Sequence, residues 1–166
     1  MPSPSNAEFD QHASTYARQH ESSIALSGEE PEYFSQYKID DLVRVCELNR
    51  IKPARILDFG AGIGNSLATM QRAFPHAHIS GIDVSGESLE VCRKVAREGT
   101  DLRCYDGQTI PFDDGTFDLV FTACVFHHIP AAQHVALLGE IRRVLTSQGR
   151  FVLYEHNPWN MLTVQA

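Results

Sequence analysis

From residue 55 onward the chain alternates short apolar runs with longer stretches of helical period. The runs are Arg55 to Phe59, Ala77 to Val84, Leu102 to Tyr105, Phe117 to Val125 and Arg150 to Tyr154. They are apolar on both faces, as strands are when helices cover both sides of a sheet. Between them, Ser66 to Phe74, Ser85 to Glu98 and Ala131 to Leu145 repeat apolar residues at helical spacing. Strands alternating with helices imply right-handed crossovers and a parallel sheet. The predicted fold class is therefore α/β: a Rossmann-like, doubly wound, mostly parallel sheet in three αβα layers, with five strands.

Upstream the pattern is helical. Phe9, Ala13, Tyr16 and Ala17 mark a weak helix as far as His20, and Ser27 to Pro31 is a break. Phe34, Tyr37, Leu42, Val45, Cys46 and Leu48 mark a better helix from Tyr33 to Arg50, which Pro53 ends. The expected organisation is a disordered tail at 1–8, a helical segment at 9–52 and an α/β domain at 53–166.

Composition narrows the function classes. The 166 residues are 43% hydrophobic and 21% charged, ordinary for a soluble domain with a real core. The net charge is -7, without a run of Lys and Arg, which argues against a nucleic-acid partner because phosphate binding needs clustered cations. A small-molecule substrate fits better. Met1 to Asn6 is polar, with no apolar signal core. No stretch approaches the roughly 18 apolar residues of a membrane span, so no membrane partner is expected and the protein reads as cytoplasmic. Cys46, Cys92, Cys104 and Cys124 have no C-x-x-C spacing. They read as buried thiols in a reducing compartment, with no metal.

The chemistry concentrates where the first run ends, at Asp58-Phe59-Gly60-Ala61-Gly62-Ile63-Gly64-Asn65. A glycine-rich turn lets a ligand approach the backbone, and the following helix start offers unpaired N–H groups. The next run ends in Asp83, 19 positions after Gly64. That is close to the roughly 20-residue spacing at which an acid meets a ribose diol, and the carboxylate is expected to face the ligand. The dinucleotide fingerprint G-x-G-x-x-G fails, since Asn65 stands at its sixth position, and no G-K-[ST] follows for a phosphate loop.

These residues resemble the class I S-adenosylmethionine-dependent methyltransferases. Asp58, Gly60, Gly62 and Gly64 match the family's D-x-G-x-G-x-G, and Asp83 matches its ribose-binding acid. Asp106 to Phe112 looks like the loop after the third strand, which implies that Asp106 bonds the adenine amino group and Gly107 presents its backbone. Phe117 to Val120 resembles the fourth strand, with Ala123 where the family contacts the methionyl part. Leu145 to Arg150 resembles the turn before the fifth strand, with Ser147-Gln148 replacing the usual Pro-Gly. The candidate cofactor residues are therefore Asp58, Gly60, Ala61, Gly62, Gly64, Asp83, Val84, Asp106, Gly107, Ala123 and Tyr16. Pro-Phe after the third strand and His-His after the fourth are similar to the small-molecule branch that includes ubiquinone and menaquinone biosynthesis enzymes. The resemblance implies S-adenosylmethionine as cofactor, S-adenosylhomocysteine as product and direct methyl transfer to a small acceptor. It also implies seven strands, so the usual sixth and seventh are missing and the chain reads as truncated after the fifth.

Several readings stay open. Asp106-Gly107 is also a common turn. Ser85, with Ser88 three positions on, is a better helix cap than Asp83. No catalytic residue stands out: His127 and His128 are weak candidates for a base or, less readily, metal ligands. The plainer reading packs one against the sheet and lets the other cap a loop before Pro130. Tyr16 and Tyr37 either close the cofactor site or pack between helices. The apolar fifth strand and the tail with Trp159, Met161, Leu162 and Val164 suggest a homodimer paired at that edge. Two alternative functions remain: a cofactor-binding protein without transfer activity, and an NAD-dependent oxidoreductase.

Overall fold

The computed structural model describes residues 31–155. The expected helix at 9–20, its Tyr16, and the tail from Trp159 lie outside the described residues. Helix α1 (Pro31–Leu48) leads into β1 (Arg55–Phe59), α2 (Asn65–Ala73), β2 (His78–Asp83), α3 (Gly86–Val95), β3 (Asp101–Cys104), β4 (Phe117–Ala123), a 3-10 turn (Phe126–His128), α4 (Ala131–Val144) and β5 (Leu145–Tyr154). All strand pairs are parallel, in the order β3-β2-β1-β4-β5. The expected three-layer α/β architecture is present.

Strand β1 is central because its residues bury on both faces. Leu57 and Phe59 join Ile82, Val120 and, from α4, Leu137 and Ile141 on one side. Ile56 joins Leu119 and Phe121 on the other, under Leu67 and Met70 of α2, Leu89 and Cys92 of α3, and Ile39, Leu42 and Cys46 of α1. Full burial of such side chains stabilises by about 1.5–3 kcal/mol each. The buried stripe of α1 differs from the reading of the sequence. Ile39, Leu42 and Cys46 form it, whereas Tyr37 is 63% and Leu48 72% exposed.

Most element ends moved by a residue or two, and three boundaries have a clear local cause. Strand β4 stops at Ala123 because Cys124 turns left-handed, at φ 58, which no strand continues. Helix α3 stops at Val95, since Ala96 is extended. Strand β5 begins at Leu145 rather than Arg150: the expected turn survives as a register shift, in which Phe117 pairs Leu145 but Leu119 pairs Arg150. The thiol expectation holds for Cys46 and Cys92 only. Cys104 is exposed and Cys124 half-buried, since each lies at or just past the open end of a strand.

The crossover from β3 to β4 contains no helix, and α4 pins it. Arg143 donates to the carbonyls of Ile110 and Phe112 and to Asp114, each at 2.8 Å. Glu140 accepts from the Ile110 N–H at 3.0 Å. Among the described residues no helix is long and apolar enough to cross a membrane. Strand β5 is the outer strand of the described sheet, with Leu153 46% exposed.

Candidate functional site

Strands β1, β2, β3 and β4 deliver Asp58, Asp83, Asp106 and Ala123 to one edge, the carboxyl end of a parallel sheet, where doubly wound folds bind ligands. The loop after β1 is fixed from β2: the N–H groups of Gly60 and Ala61 both donate to Ile82 O, at 2.9 Å. The Gly62 N–H donates to Asp83 Oδ2 at 2.8 Å, and the Ser85 N–H to Asp83 Oδ1 at 2.9 Å. Asp83 is thus a brace between the glycine loop and the start of α3, as well as a candidate ligand group. Ser85 caps α3, accepting from the Ser88 N–H at 3.1 Å.

The glycines divide their work. A Cβ on Gly60 would lie 2.3 Å from Val125 Cγ2, so this position permits close packing of the loop on the turn after β4. A Cβ on Gly62, at φ 52, would meet nothing within 4 Å. Its backbone therefore faces open space, the property a ligand cradle needs. Ala61 is buried, with its Cβ near Gly81.

Asp58 is the electrostatic anomaly. It is 2% exposed, and its Oδ2 has no hydrogen-bond partner among the described residues. Burial, together with the charge of Asp83, pushes its carboxyl up to about 7. A buried oxygen without a donor costs about 1–3 kcal/mol unless a ligand supplies one. Thr122 Oγ1, near the end of β4, is a second buried oxygen without a partner among the described residues. Sequence pattern did not signal it. The Asp58 oxygen suits a ligand that brings its own donor, such as an ammonium or a hydroxyl.

Asp106 carries the turn role expected of Asp-Gly. Its Oδ1 accepts from the N–H groups of Gln108 and Thr109, each at 2.8 Å. The Thr109 bond first, and then that of Gln108, hold its carboxyl below the usual carboxylate range. Gly107 is left-handed, and a Cβ there would lie 3.7 Å from Val84 Cγ1, so Gly107 and Val84 adjoin. Ala123 is half-buried at the end of β4.

The histidines depart from the plainer reading. Neither packs against the sheet: His127 Nδ1 lies 2.8 Å from Glu155 Oε2, and its ring centroid is 3.9 Å from that of His128. Both are exposed, and the residue that buries in this turn is Phe126. His134 does the capping, with Nε2 at 3.1 Å from Phe126 O and 2.8 Å from Ile129 O. Behind the turn, Lys38 donates to Cys124 Sγ at 3.2 Å and the Tyr154 hydroxyl to Asp41 at 2.8 Å. No cluster of three metal-binding side chains occurs among the described residues. A separate cleft of about 590 Å³, lined by Arg55, His78, Arg103, Phe112 and Arg143, opens at the opposite end of the strands and takes no part in this site.

A parallel sheet whose central strand opens into a left-handed glycine turn, with an acid ending the next strand, defines a nucleoside-cofactor-binding doubly wound domain. The family described as "Methyltransferase domain" matches residues 56–149, and the chain belongs to that family. It is similar to a demethylmenaquinone methyltransferase of Thermotoga maritima, 35% identical, over 70% of this chain and 50% of the relative. It also resembles a ubiquinone/menaquinone biosynthesis C-methyltransferase of Desulfotalea psychrophila, 34% identical, over 63% of this chain and 42% of that one. Among solved structures, the plantazolicin methyltransferase BpumL shares the fold at TM-score 0.69 and 20% identity, over 92% of this chain and 58% of that one. The chain spans about half the length of the curated relatives it matches.

Removing the Asp83 carboxylate tests its bracing role. Asp83→Ala breaks two hydrogen bonds to a charged group, each worth about 1.5–3 kcal/mol. Asp83→Ala is expected to lower stability by roughly 3 kcal/mol, the lower end of that sum, and to weaken ligand binding as well. A melting temperature unchanged in the ligand-free protein would show that the brace carries no stability.

Proposed function

We propose that this chain is the cofactor-binding part of an S-adenosylmethionine-dependent methyltransferase acting on a small-molecule acceptor. The observation that carries the reading is the open, left-handed Gly62, with the Asp83 carboxylate bonded to its N–H and nearby a buried Asp58 oxygen that has no partner among the described residues. The bound cofactor supplies an activated methyl group, so the protein must align the reactants and exclude water. In this reading Gly60 to Gly64 cradle the methionyl and ribose parts, and Asp58 answers the amino group. Asp83 and Val84 hold the ribose, Asp106 and Gly107 meet the adenine, and Ala123 adjoins the methyl-bearing end. Tyr16 closes the site from the N-terminal segment. The BpumL neighbour was solved with S-adenosylhomocysteine, which supports the same ligand here. The names of the curated relatives make a quinone-type acceptor the first to try. Family membership supersedes the NAD-dependent alternative.

Calorimetry with S-adenosylhomocysteine tests this reading. A dissociation constant in the micromolar range, about -8 kcal/mol, is expected, and no heat at millimolar ligand would refute it. Because the chain spans half of its relatives, binding without transfer to any acceptor would favour the non-enzymatic alternative. Pairing of two copies along the outer edge of β5 belongs to the same proposal. A monomer at high concentration in sedimentation equilibrium would exclude that pairing.

A further inference from the structure

The sheet face that α4 covers is apolar only over its carboxyl half, where Leu57, Ile82 and Tyr105 bury. Side chains two apart along a strand share a face. Two residues upstream that face continues as Arg55, Ser80 and Arg103, and four residues upstream as His78 and Asp101. All five line the cleft of about 590 Å³ at the amino end of the strands, a size within the roughly 300–1,000 Å³ of small-molecule sites. The hollow exists because the crossover from β3 to β4 forms no helix that could cover this half. Arg103 and Arg143 are already engaged in building its walls. Arg103 holds Asp101, donates to the Pro111 carbonyl and lies 4.0 Å over the Phe112 ring. The charge of Asp113 acts on Arg103 as well. Arg143 is taken up by Glu140, Asp114 and two carbonyls of the crossover. Arg55 and His78 differ. They are partners across β1 and β2, both are exposed, and neither side chain has a hydrogen bond or ion pair among the described residues. Asp118 accepts from the Ala54 and Arg55 N–H groups, not from the Arg55 guanidinium. In a chain of net charge -7, the cleft thus sets three arginines against two aspartates.

We propose that this cleft is a second ligand site, separate from the cofactor's, and that it takes a small phosphate monoester with the phosphate between Arg55 and His78. A planar guanidinium can donate to two phosphate oxygens at once. The neighbouring imidazole N–H and the Ser80 hydroxyl supply donors from other directions, which suits three terminal oxygens better than the two of a carboxylate. The organic part occupies the rest of the cleft, between the Arg103–Phe112 stack and the Thr109 side of the crossover. The polar floor excludes an apolar helix as occupant, since such a helix would bury the two basic side chains without partners.

Amide chemical shifts locate the site directly. In the full ¹⁵N-labelled chain at fixed ionic strength, ribose 5-phosphate at millimolar concentration is expected to move the signals of Arg55, His78 and Ser80. Those of Gly62 and Asp83 should stay in place. Arg55→Gln should weaken binding at least tenfold, the loss of a charge-assisted pair, and His78→Gln about threefold. Both side chains are exposed, so the melting temperature of either variant should match wild type. Inorganic phosphate and citrate are the comparison probes, and each should bind more weakly than the ester. No shift at millimolar ester, shifts at Gly62 and Asp83 in place of Arg55 and His78, or unchanged affinity in Arg55→Gln overturns the site. Citrate binding as tightly as the ester overturns the phosphate class. Inorganic phosphate binding as tightly overturns the ester and leaves free phosphate as the occupant.

Discussion

Asp58→Asn is expected to stabilise the ligand-free protein increasingly, relative to wild type, as pH rises from about 4 to about 7. The folded carboxyl titrates near 7, whereas an unfolded aspartate titrates near about 3.9. The folded state therefore binds this proton more tightly, and stability falls as pH rises between the two values, levelling off above 7. A difference of about three pKa units corresponds to about 4 kcal/mol, or roughly 10 °C in melting temperature for a domain of this size. Asn keeps the volume without the charge. Its amide carries its own unmet hydrogen bonds, so the signal is the change of the mutant–wild-type difference with pH, not its value at one pH. Melts at pH 5 and pH 8 measure it, and a difference independent of pH would show that Asp58 keeps an ordinary pKa. Cofactor binding should reverse the balance. A cationic ammonium at Oδ2 favours the carboxylate, so wild type should release a proton on binding S-adenosylhomocysteine at pH 6, and Asp58→Asn should release none. Calorimetry in buffers of different ionisation enthalpy separates the two. The mutant's affinity should fall by about 1.5–3 kcal/mol, the loss of a charge-assisted hydrogen bond.

What the sequence disclosed follows from the range over which each signal acts. Strand β1 was readable to both ends, because Ile56, Leu57 and Phe59 bury on both faces and glycine follows at once. The Gly60 to Gly64 loop and Asp83 were readable because spacing along the chain maps directly onto adjacent strand ends. The burial of Ile39 in place of Tyr37 depended on how α1 rotates against α2, which helical period alone does not fix. The left-handed Cys124 had no residue-type signal, since cysteine seldom adopts that backbone. Glu155 was invisible for another reason. It lies 28 residues from its partner His127 and reaches it only because Ala123 pairs with Tyr154 across β4 and β5. Extending the parallel register one residue past each strand end sets Glu155 opposite Cys124, but the turn that brings His127 back to it is not readable from spacing. His134 needed the same knowledge, namely where α4 docks relative to the turn it holds.

Gly60 and Gly62 stand two residues apart in one motif and should fail in opposite ways. Gly60→Ala places its Cβ 2.3 Å from Val125 Cγ2, 3.1 Å from Cγ1 and 3.3 Å from Cβ, at φ 78. Rotating the valine cannot clear all three atoms, because the contact is with a branched carbon and both of its methyls. Left-handed strain adds about 1–2 kcal/mol and overpacking about 1–3 kcal/mol. A loss near 3 kcal/mol, roughly 10 °C in melting temperature, is expected. Since Val125 also donates its N–H to Glu155, its displacement should disturb the turn from Phe126 to His128 as well. Gly62→Ala, by contrast, meets nothing within 4 Å and should cost only the strain of φ 52, about 1 kcal/mol. The methyl instead occupies the space proposed for the cofactor, so S-adenosylhomocysteine affinity should fall at least tenfold, about 1.4 kcal/mol. Gly62→Val, with a branched Cβ, should abolish binding while the sheet still forms. Thermal melts and calorimetry on the three variants decide the matter. A Gly62→Val protein that folds and still binds would show that the loop does not touch the cofactor, and a Gly60→Ala protein as stable as wild type would show that the turn after β4 yields without cost.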